Sequence, residues 1–374
     1  MKEKLGLGVA GAGAIGIRSA LNNYALGVVD TSFIAAVCDP APGRAKAAAE
    51  KYGVPAWYET YEELLGDPGV DVVTLCSPIG LHYEQGMKAI SAGKHVHFNK
   101  TMTVTTKEAT NIIEAARKKN VKCVASPGSM AFPQNVRTRR YILEGRLGKM
   151  TWALGGNFGA LFYHLGEKDR KDSDILGTAD PSWYFKKPGG GPLYDTVVYC
   201  LHKMTGVLGP AREVTAMSGR LIPTYTYQGR EIASEVDDNT FILIDFGDAV
   251  FGIVYGTPKD GPNARSNGAD FYGLEGSIVS DKFGDEPLLK DEDAIPYIKK
   301  ANQGFLKGSK EAHVFLDILQ LMDWVLHDVE SPATCEQARH VIEIFEAGYR
   351  AAKTGKTQKL TTAFTPIPLE ELKY

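Results

Sequence analysis

Short apolar runs at residues 5–10, 33–38, 70–76, 95–98 and 121–125 alternate with stretches of helical periodicity over the first third of the chain. Runs of this length fill strands buried on both faces, and strands separated by helices pair in parallel through crossovers. Between the last two runs, Thr105-x-x-Glu108 has the form of a capping box. Beyond it, Ala109, Ile112, Ile113 and Ala116 recur at the spacing of one helix face. Gly53 and Gly93 stand where a residue without Cβ can close a helix in the left-handed conformation. A first domain over residues 1–128 is expected.

Pro127-Gly128 and Pro133 end that texture. Alternating, aromatic-rich runs at 150–158, 240–246, 249–255 and 270–274 predict a largely antiparallel sheet, with an early helix over 192–206. Two helices close the chain. Ala312, Phe315, Leu316, Leu319, Met322 and Leu326 share a face of the first, and Ala338, Val341, Ile342, Phe345 and Tyr349 share a face of the second, after Thr334-x-x-Gln337. Residues 129–374 are expected to form an α+β domain for substrate binding and oligomerisation, its last helices packing back on the first domain.

A chain of 374 residues exceeds what one core supports, and 44% apolar with 23% charged residues suits a folded protein. With 42 basic against 45 acidic residues there is no overall attraction for phosphate backbones or anionic lipid, so nucleic acid and membrane partners are not expected. Cys38, Cys76, Cys123, Cys200 and Cys335 are odd in number and include no Cys-x-x-Cys pair, which argues against a disulfide framework and a structural zinc site. Lys2 and Lys4 precede an uncharged run superficially like a signal peptide, but Gly6, Gly8, Gly11, Gly13 and Gly16 interrupt it. No other stretch is long enough to span a membrane. The expectation is a soluble cytoplasmic protein.

Gly11-Ala12-Gly13-Ala14-Ile15-Gly16 follows a predicted strand and opens a helix, the context of a dinucleotide-binding loop. Gly11 permits the turn, Gly13 the approach of a pyrophosphate and Gly16 close packing, while N–H groups at Ala14 and Ile15 begin the helix that faces the anion. Asp39 ends the second strand, where a carboxylate accepts ribose hydroxyls and repels a 2′-phosphate. NAD is therefore expected over NADP, with Arg44 as the residue that could reverse the preference. The fold class is α/β: an N-terminal Rossmann domain plus a C-terminal α+β domain with a large open, mostly antiparallel sheet.

The glycine loop, Cys76-Ser77-Pro78-Ile79-Gly80-Leu81-His82, the run Ala92-Gly93-Lys94-His95-Val96-His97-Phe98-Asn99-Lys100 and Gly189-Gly190-Gly191-Pro192-Leu193-Tyr194-Asp195 resemble, in order and spacing, the glucose-fructose oxidoreductase / inositol dehydrogenase (Gfo/Idh/MocA) family. The resemblance implies oxidation or reduction of a sugar or cyclitol with NAD(P), and places Ser77 and His82 beside the cofactor; Asn99 and Lys100 are further expected cofactor contacts. Two departures stand out. Asn99-Lys100-Thr101 replaces the usual Glu-Lys-Pro, and Tyr199 stands where Asp-x-Gly-x-His has its histidine.

Independently of any family, oxidising a secondary alcohol needs a base for the hydroxyl proton. Tyr199 can serve if a cation lowers its pKa, and Lys100 is the candidate cation. Asp195, Tyr199 and His202 follow at i, i+4 and i+7, roughly on one helix face. His202 is equally well read as structural. Trp183, in the run Trp183-Tyr184-Phe185, could stack on a sugar ring or belong to the core. His95 and His97 share a strand face, but no third ligand follows at metal spacing, so no metal is expected. The basic run Arg137-Thr138-Arg139-Arg140 reads as a solvated helix face.

The leading expectation is an NAD-dependent sugar, glycoside or cyclitol dehydrogenase using Lys100, Tyr199 and Asp195. A glycosidase or lyase acting through transient oxidation, and a non-catalytic NAD-binding regulator, are the alternatives. Too few helices follow residue 129 to cover both faces of its sheet, so self-association through the bare face, as a homodimer or homotetramer, is expected.

Overall fold

The computed structural model describes residues 3–157, 175–176, 180–227, 229–258, 268–290, 293, 311–366, 368 and 370. Its first sheet has six parallel strands: β1 (Leu5–Ala10), β2 (Ser32–Cys38), β3 (Ala56–Tyr58), β4 (Val72–Leu75), β5 (His95–Phe98) and β6 (Cys123–Ala125), in the order β3-β2-β1-β4-β5-β6. All five predicted runs are strands. Edge strand β3 escaped the pattern because Trp57 is exposed and Ala56 and Tyr58 are only partly covered. The order reverses between β1 and β4, and a ligand crevice opens at such a switch point, beyond the carboxyl ends of the strands.

The crossover helices are α1 (Asn22–Tyr24, preceded by wide π turns at Gly16–Leu21), α2 (Arg44–Tyr52), α3 (Tyr61–Gly66), α4 (His82–Ser91) and α5 (Thr106–Lys119). The capping box before α5 is present: Thr105 Oγ1 accepts from Glu108 N at 3.2 Å, and Glu108 Oε2 accepts from Thr105 N at 3.2 Å. Gly53 and Gly93 both have positive φ, as helix-closing residues.

After α6 (Pro133–Leu143), a second sheet of nine strands is built from β7 (Met150–Asn157), β8 (Glu213–Gly219), β11 (Asn239–Gly247), β12 (Val250–Gly256), β13 (Ala269–Gly273), β14 (Ser277–Val279), β15 (Lys282–Phe283), β16 (Glu286–Pro287) and β17 (Gln358–Lys359), while β9 (Thr224–Tyr227) and β10 (Arg230–Ala233) pair with each other as a separate hairpin. Its pairs are antiparallel except β7 with β12. On one face, Val214, Ile242, Ile244, Val254 and Phe271 pack against α7 (Val198–Leu208) and α9 (Cys335–Thr354). The alternation along β11 sends Phe241 and Leu243 to the other face, where they are exposed.

Helix α8 (Ala312–His327) buries Val314, Ile318, Leu321 and Met322 among Leu7, Val9 and Val72 of the first sheet. Helix α9 joins two cores, with Cys335, Ala338 and Ile342 beside Phe98 and Ile112, and Ile344 and Phe345 beside α7. The start of α8 is thereby brought to the crevice. The basic run in α6 is not a solvated face: Arg137 makes a bidentate pair with Asp293, both bonds at 2.5 Å, because a guanidinium held under the chain needs its charge matched.

Candidate active site

The glycine loop fits a pyrophosphate by elimination of side chains. Gly11 has a φ of 105°, and a Cβ there would lie 3.0 Å from Cys76 O. A Cβ on Gly16 would lie 1.9 Å from Gly11 O, whereas one on Gly13 would meet nothing within 4 Å. The loop is closed at its two ends and open at its middle, the cradle a diphosphate needs, with Ala14 and Ile15 leading into the following helix. Asp39 Oδ2 accepts from Ala12 N and its Oδ1 from Ala41 N, both at 2.9 Å, so this carboxylate sits against the loop. Arg44 opens α2, but its Nη1 turns back to Asp39 at 3.4 Å and its Nε donates to Ile175 O at 3.1 Å.

His82 is fully buried between two loops, Nε2 3.0 Å from Ser77 O and Nδ1 2.9 Å from Thr101 O, and the neutral ring donates to one of the two carbonyls at a time. Burial holds its pKa below the usual histidine range. Ser77 donates to Gln85 Oε1 at 2.5 Å, and buried Asn99 accepts from Lys100 N at 2.7 Å through Oδ1. The Lys100–Thr101 peptide bond is cis, and Thr101 Oγ1 donates to Tyr194 O at 2.5 Å.

Beyond Gly189-Gly190-Gly191 the chain enters wide π turns at Leu193–Val197 and continues as α7. Lys100 Nζ reaches this segment, donating to Asp195 O at 2.6 Å and to Asp195 Oδ1. Tyr184 donates to the same carboxylate oxygen at 3.0 Å. The Tyr199 ring centroid is 5.2 Å from Lys100 Nζ, and its hydroxyl meets His313 Nε2 at 3.1 Å. Lys100, Asp195 and Tyr199 are thus brought together as expected, and Tyr184 and His313 join them.

Burial opposes charge on Lys100, but Asp195, Tyr199 and Tyr184 outweigh it and hold the ammonium well above its ordinary pKa. Burial pushes the Tyr199 phenol up to about 12, against the downward pull of Lys100. The expected lowering by the cation is present, and desolvation exceeds it. His313 is pushed down to about 4, chiefly by burial, with Glu311 raising it and Lys100 lowering it. At neutral pH Lys100 is an ammonium, Tyr199 a phenol and His313 a neutral imidazole.

His202 lies apart: it is buried in α7, only desolvation shifts it, down to about 3, and its ring makes no hydrogen bond to Lys100, Asp195 or Tyr199. Trp183 stacks on Tyr184 with ring centroids 3.7 Å apart and packs against the second core, backing the tyrosine that holds Asp195. His97 is held between Thr74 Oγ1 at 2.8 Å and Ser126 Oγ at 2.9 Å, while His95 Nδ1 accepts from Lys122 N at 2.8 Å. Among the described residues no three metal-ligating side chains cluster, and no helix is long and apolar enough to cross a membrane.

Comparison with known proteins matches residues 5–126 to the family described as "Oxidoreductase family, NAD-binding Rossmann fold" and residues 136–279 to the "GFO/IDH/MocA C-terminal domain". The chain belongs to the Gfo/Idh/MocA family. As in that family, its first domain is an NAD-binding Rossmann domain. A D-xylose dehydrogenase of Paenarthrobacter nicotinovorans is 27% identical over 210 residues, 54% of this chain and 52% of that protein, so the chain spans about half the length of this relative. A scyllo-inositol 2-dehydrogenase (NAD(+)) of Bacillus subtilis is 25% identical over 281 residues, 74% of each chain. Levoglucosan dehydrogenase in complex with NADH and levoglucosan shares the fold, with a TM-score of 0.74 at 19% identity over 95% of this chain and 99% of that one.

Proposed function

We propose that this Gfo/Idh/MocA member is an NAD-dependent dehydrogenase acting on a secondary hydroxyl of an uncharged sugar, glycoside or cyclitol. One observation carries the reading: Lys100 Nζ is shared between Asp195 and the face of Tyr199 at the crevice end of β5. An alcohol becomes oxidisable as its proton departs, and a preorganised cation at the forming alkoxide favours that charge. Lys100 supplies the cation, Asp195 fixes its position with help from Tyr184, and Tyr199 is the hydroxyl through which the proton leaves. A bound nicotinamide supplies the hydride acceptor. Gly11, Gly13, Ala14, Ile15 and Gly16 would hold its pyrophosphate and Asp39 its ribose, with Ser77, His82, Asn99 and Lys100 shaping the nicotinamide end.

The relatives named for xylose, inositol and levoglucosan all act on neutral polyhydroxy compounds, which supports that substrate class. Five unpaired cysteines suit a reducing cytoplasm. The test is stoichiometry: NADH should accumulate in step with oxidised product. Product formed without NADH would instead favour a glycosidase or lyase working through transient oxidation, and NAD bound without turnover would favour a regulator.

A further inference from the structure

The polar chain that begins at Lys100 does not end at Tyr199. His313 Nε2 lies 3.1 Å from the Tyr199 hydroxyl, with the two rings edge to face and their centroids 5.1 Å apart. His313 sits in the first turn of α8, a helix whose buried side packs on the first sheet. Glu311 Oε2 stands 3.7 Å from the same imidazole nitrogen, and Arg18, in the π-turned segment after the glycine loop, holds Glu311 at 3.1 Å. The His313 side chain keeps 21% of its surface open to solvent.

We propose that His313 is the proton acceptor behind Tyr199, taking the phenol proton at Nε2 as Tyr199 Oη takes the substrate hydroxyl proton, with Glu311 stabilising the resulting imidazolium. The proposal rests on the dehydrogenase reading. The relay moves protons and no electrons. The substrate O–H and the Tyr199 O–H break, a new Tyr199 O–H and an Nε2–H form, and the imidazolium then gives up its Nε2 proton to water, which restores the Nδ1–H imidazole. In this arrangement the resting imidazole carries its hydrogen on Nδ1. Reduction of a ketone runs the same bonds backwards.

The relay answers a difficulty in the site. A phenol pushed up to about 12 offers almost no phenolate at neutral pH, so it can accept a proton only while giving one away. Among the described residues, the charged and titratable groups facing His313 are Lys100 and Tyr199 on the substrate side, Glu311 with Arg18 beside it, and His97 deeper in the first domain. Lys100 and burial keep the imidazole neutral and able to accept, and Glu311 favours it once charged.

His313→Gln keeps a hydrogen-bond acceptor for Tyr199 but cannot take a proton. Its kcat for polyol oxidation should fall about a hundredfold, while KM and calorimetric NAD binding stay at wild-type values. The wild-type rate should be flat through neutral pH. The variant's rate should climb steadily as pH rises, because only phenolate then serves. Added imidazole should restore turnover to His313→Ala. Independently of activity, ¹⁵N spectra of the histidine side chains should show His313 Nε2 as an unprotonated acceptor whose resonance moves in Tyr199→Phe. An active wild type with an indifferent His313→Gln, or a His313 resonance blind to Tyr199→Phe, would overturn the relay alone. A wild type that binds NAD but oxidises no polyol would overturn the dehydrogenase reading and the relay with it.

Discussion

Lys100 Nζ donates to the main-chain carbonyl of Asp195 at 2.6 Å as well as to its carboxylate, so one ammonium fixes both the backbone and the side chain of a residue 95 positions further along the chain. That double grip joins the end of β5 to the π-turned start of α7, and with it the NAD-binding domain to the segment bearing Tyr199. Lys100 thereby adds a side-chain donor to a carbonyl within the wide turn at Leu193–Val197. Position and charge at this site have a single origin.

The three loop glycines should respond differently to alanine. Gly16→Ala places a methyl 1.9 Å from Gly11 O and should lower the unfolding temperature by several degrees. Gly13→Ala meets no protein atom, so it should fold normally and lose NAD affinity at least tenfold. Thermal scans and calorimetry of the two variants check this; equal stability loss in both would contradict it.

Asp39 should decide between the two nicotinamide cofactors. Its carboxylate lies against the glycine loop, and Arg44 is already drawn to it and to Ile175 O, so a 2′-phosphate would face the Asp39 carboxylate with the Arg44 guanidinium engaged. Calorimetric titration should show NAD binding at least tenfold tighter than NADP, and Asp39→Ser should narrow or reverse the ratio. Tighter NADP binding by the wild type would refute the role given to Asp39.

Asp317 should make stability depend on pH. It is fully buried, and its Oδ2 accepts from Ser126 Oγ at 2.5 Å and Gly128 N at 3.0 Å, while Oδ1 meets no partner among the described residues. Burial pushes its pKa up to about 7, above the roughly 3.9 of an unfolded aspartate. Between those values the folded state holds more protons, so this contribution to stability is full at the acid end and declines as pH rises to neutral. Asp317→Asn should flatten that dependence in melting curves taken across the window. An unchanged slope would show that Asp317 ionises freely.

The face of the second sheet opposite α7 and α9, bare among the described residues, should carry self-association. The register sets Met217, Phe241 and Tyr255 side by side, and likewise Phe251, Trp152 and Tyr272. Met217 is 81% exposed, and Phe241 and Phe251 are also open. Light scattering should give a dimer or tetramer, and Phe241→Asp with Phe251→Asp should yield a 40.6 kDa monomer that still binds NAD. A wild-type monomer would show that this face needs no cover.

Much of the fold was legible because its signals are local. Strands buried on both faces read as unbroken apolar runs, and Thr105 and Glu108 announce a helix start three residues apart. Edge strand β3, the half-exposed β8 and the two-residue strands β15, β16 and β17 were not, since a half-exposed or very short strand carries little periodicity. Lys100, Asp195 and Tyr199 were visible through their motifs. Tyr184 stood in the aromatic run, where nothing marked its hydroxyl as the partner of Asp195. His313 lies 114 residues from Tyr199, and only the return of α8 to the first domain brings them together. The ionisation state of Tyr199 is not legible for a related reason: a neighbouring cation is readable from a motif, while the depth of burial that outweighs it is a property of the whole fold.

The central claim is that Lys100, held by Asp195 beside Tyr199, enables NAD-linked oxidation of a neutral polyol. The most direct measurement compares wild type and Lys100→Met for NADH formation across a panel of sugars, glycosides and inositols, with NAD binding measured in parallel. The account expects wild-type turnover on at least one of these compounds and a loss of about a hundredfold or more in the variant, with NAD still bound. A Lys100→Met protein that keeps full activity, or a wild type that binds NAD and stays silent across the panel, would contradict it.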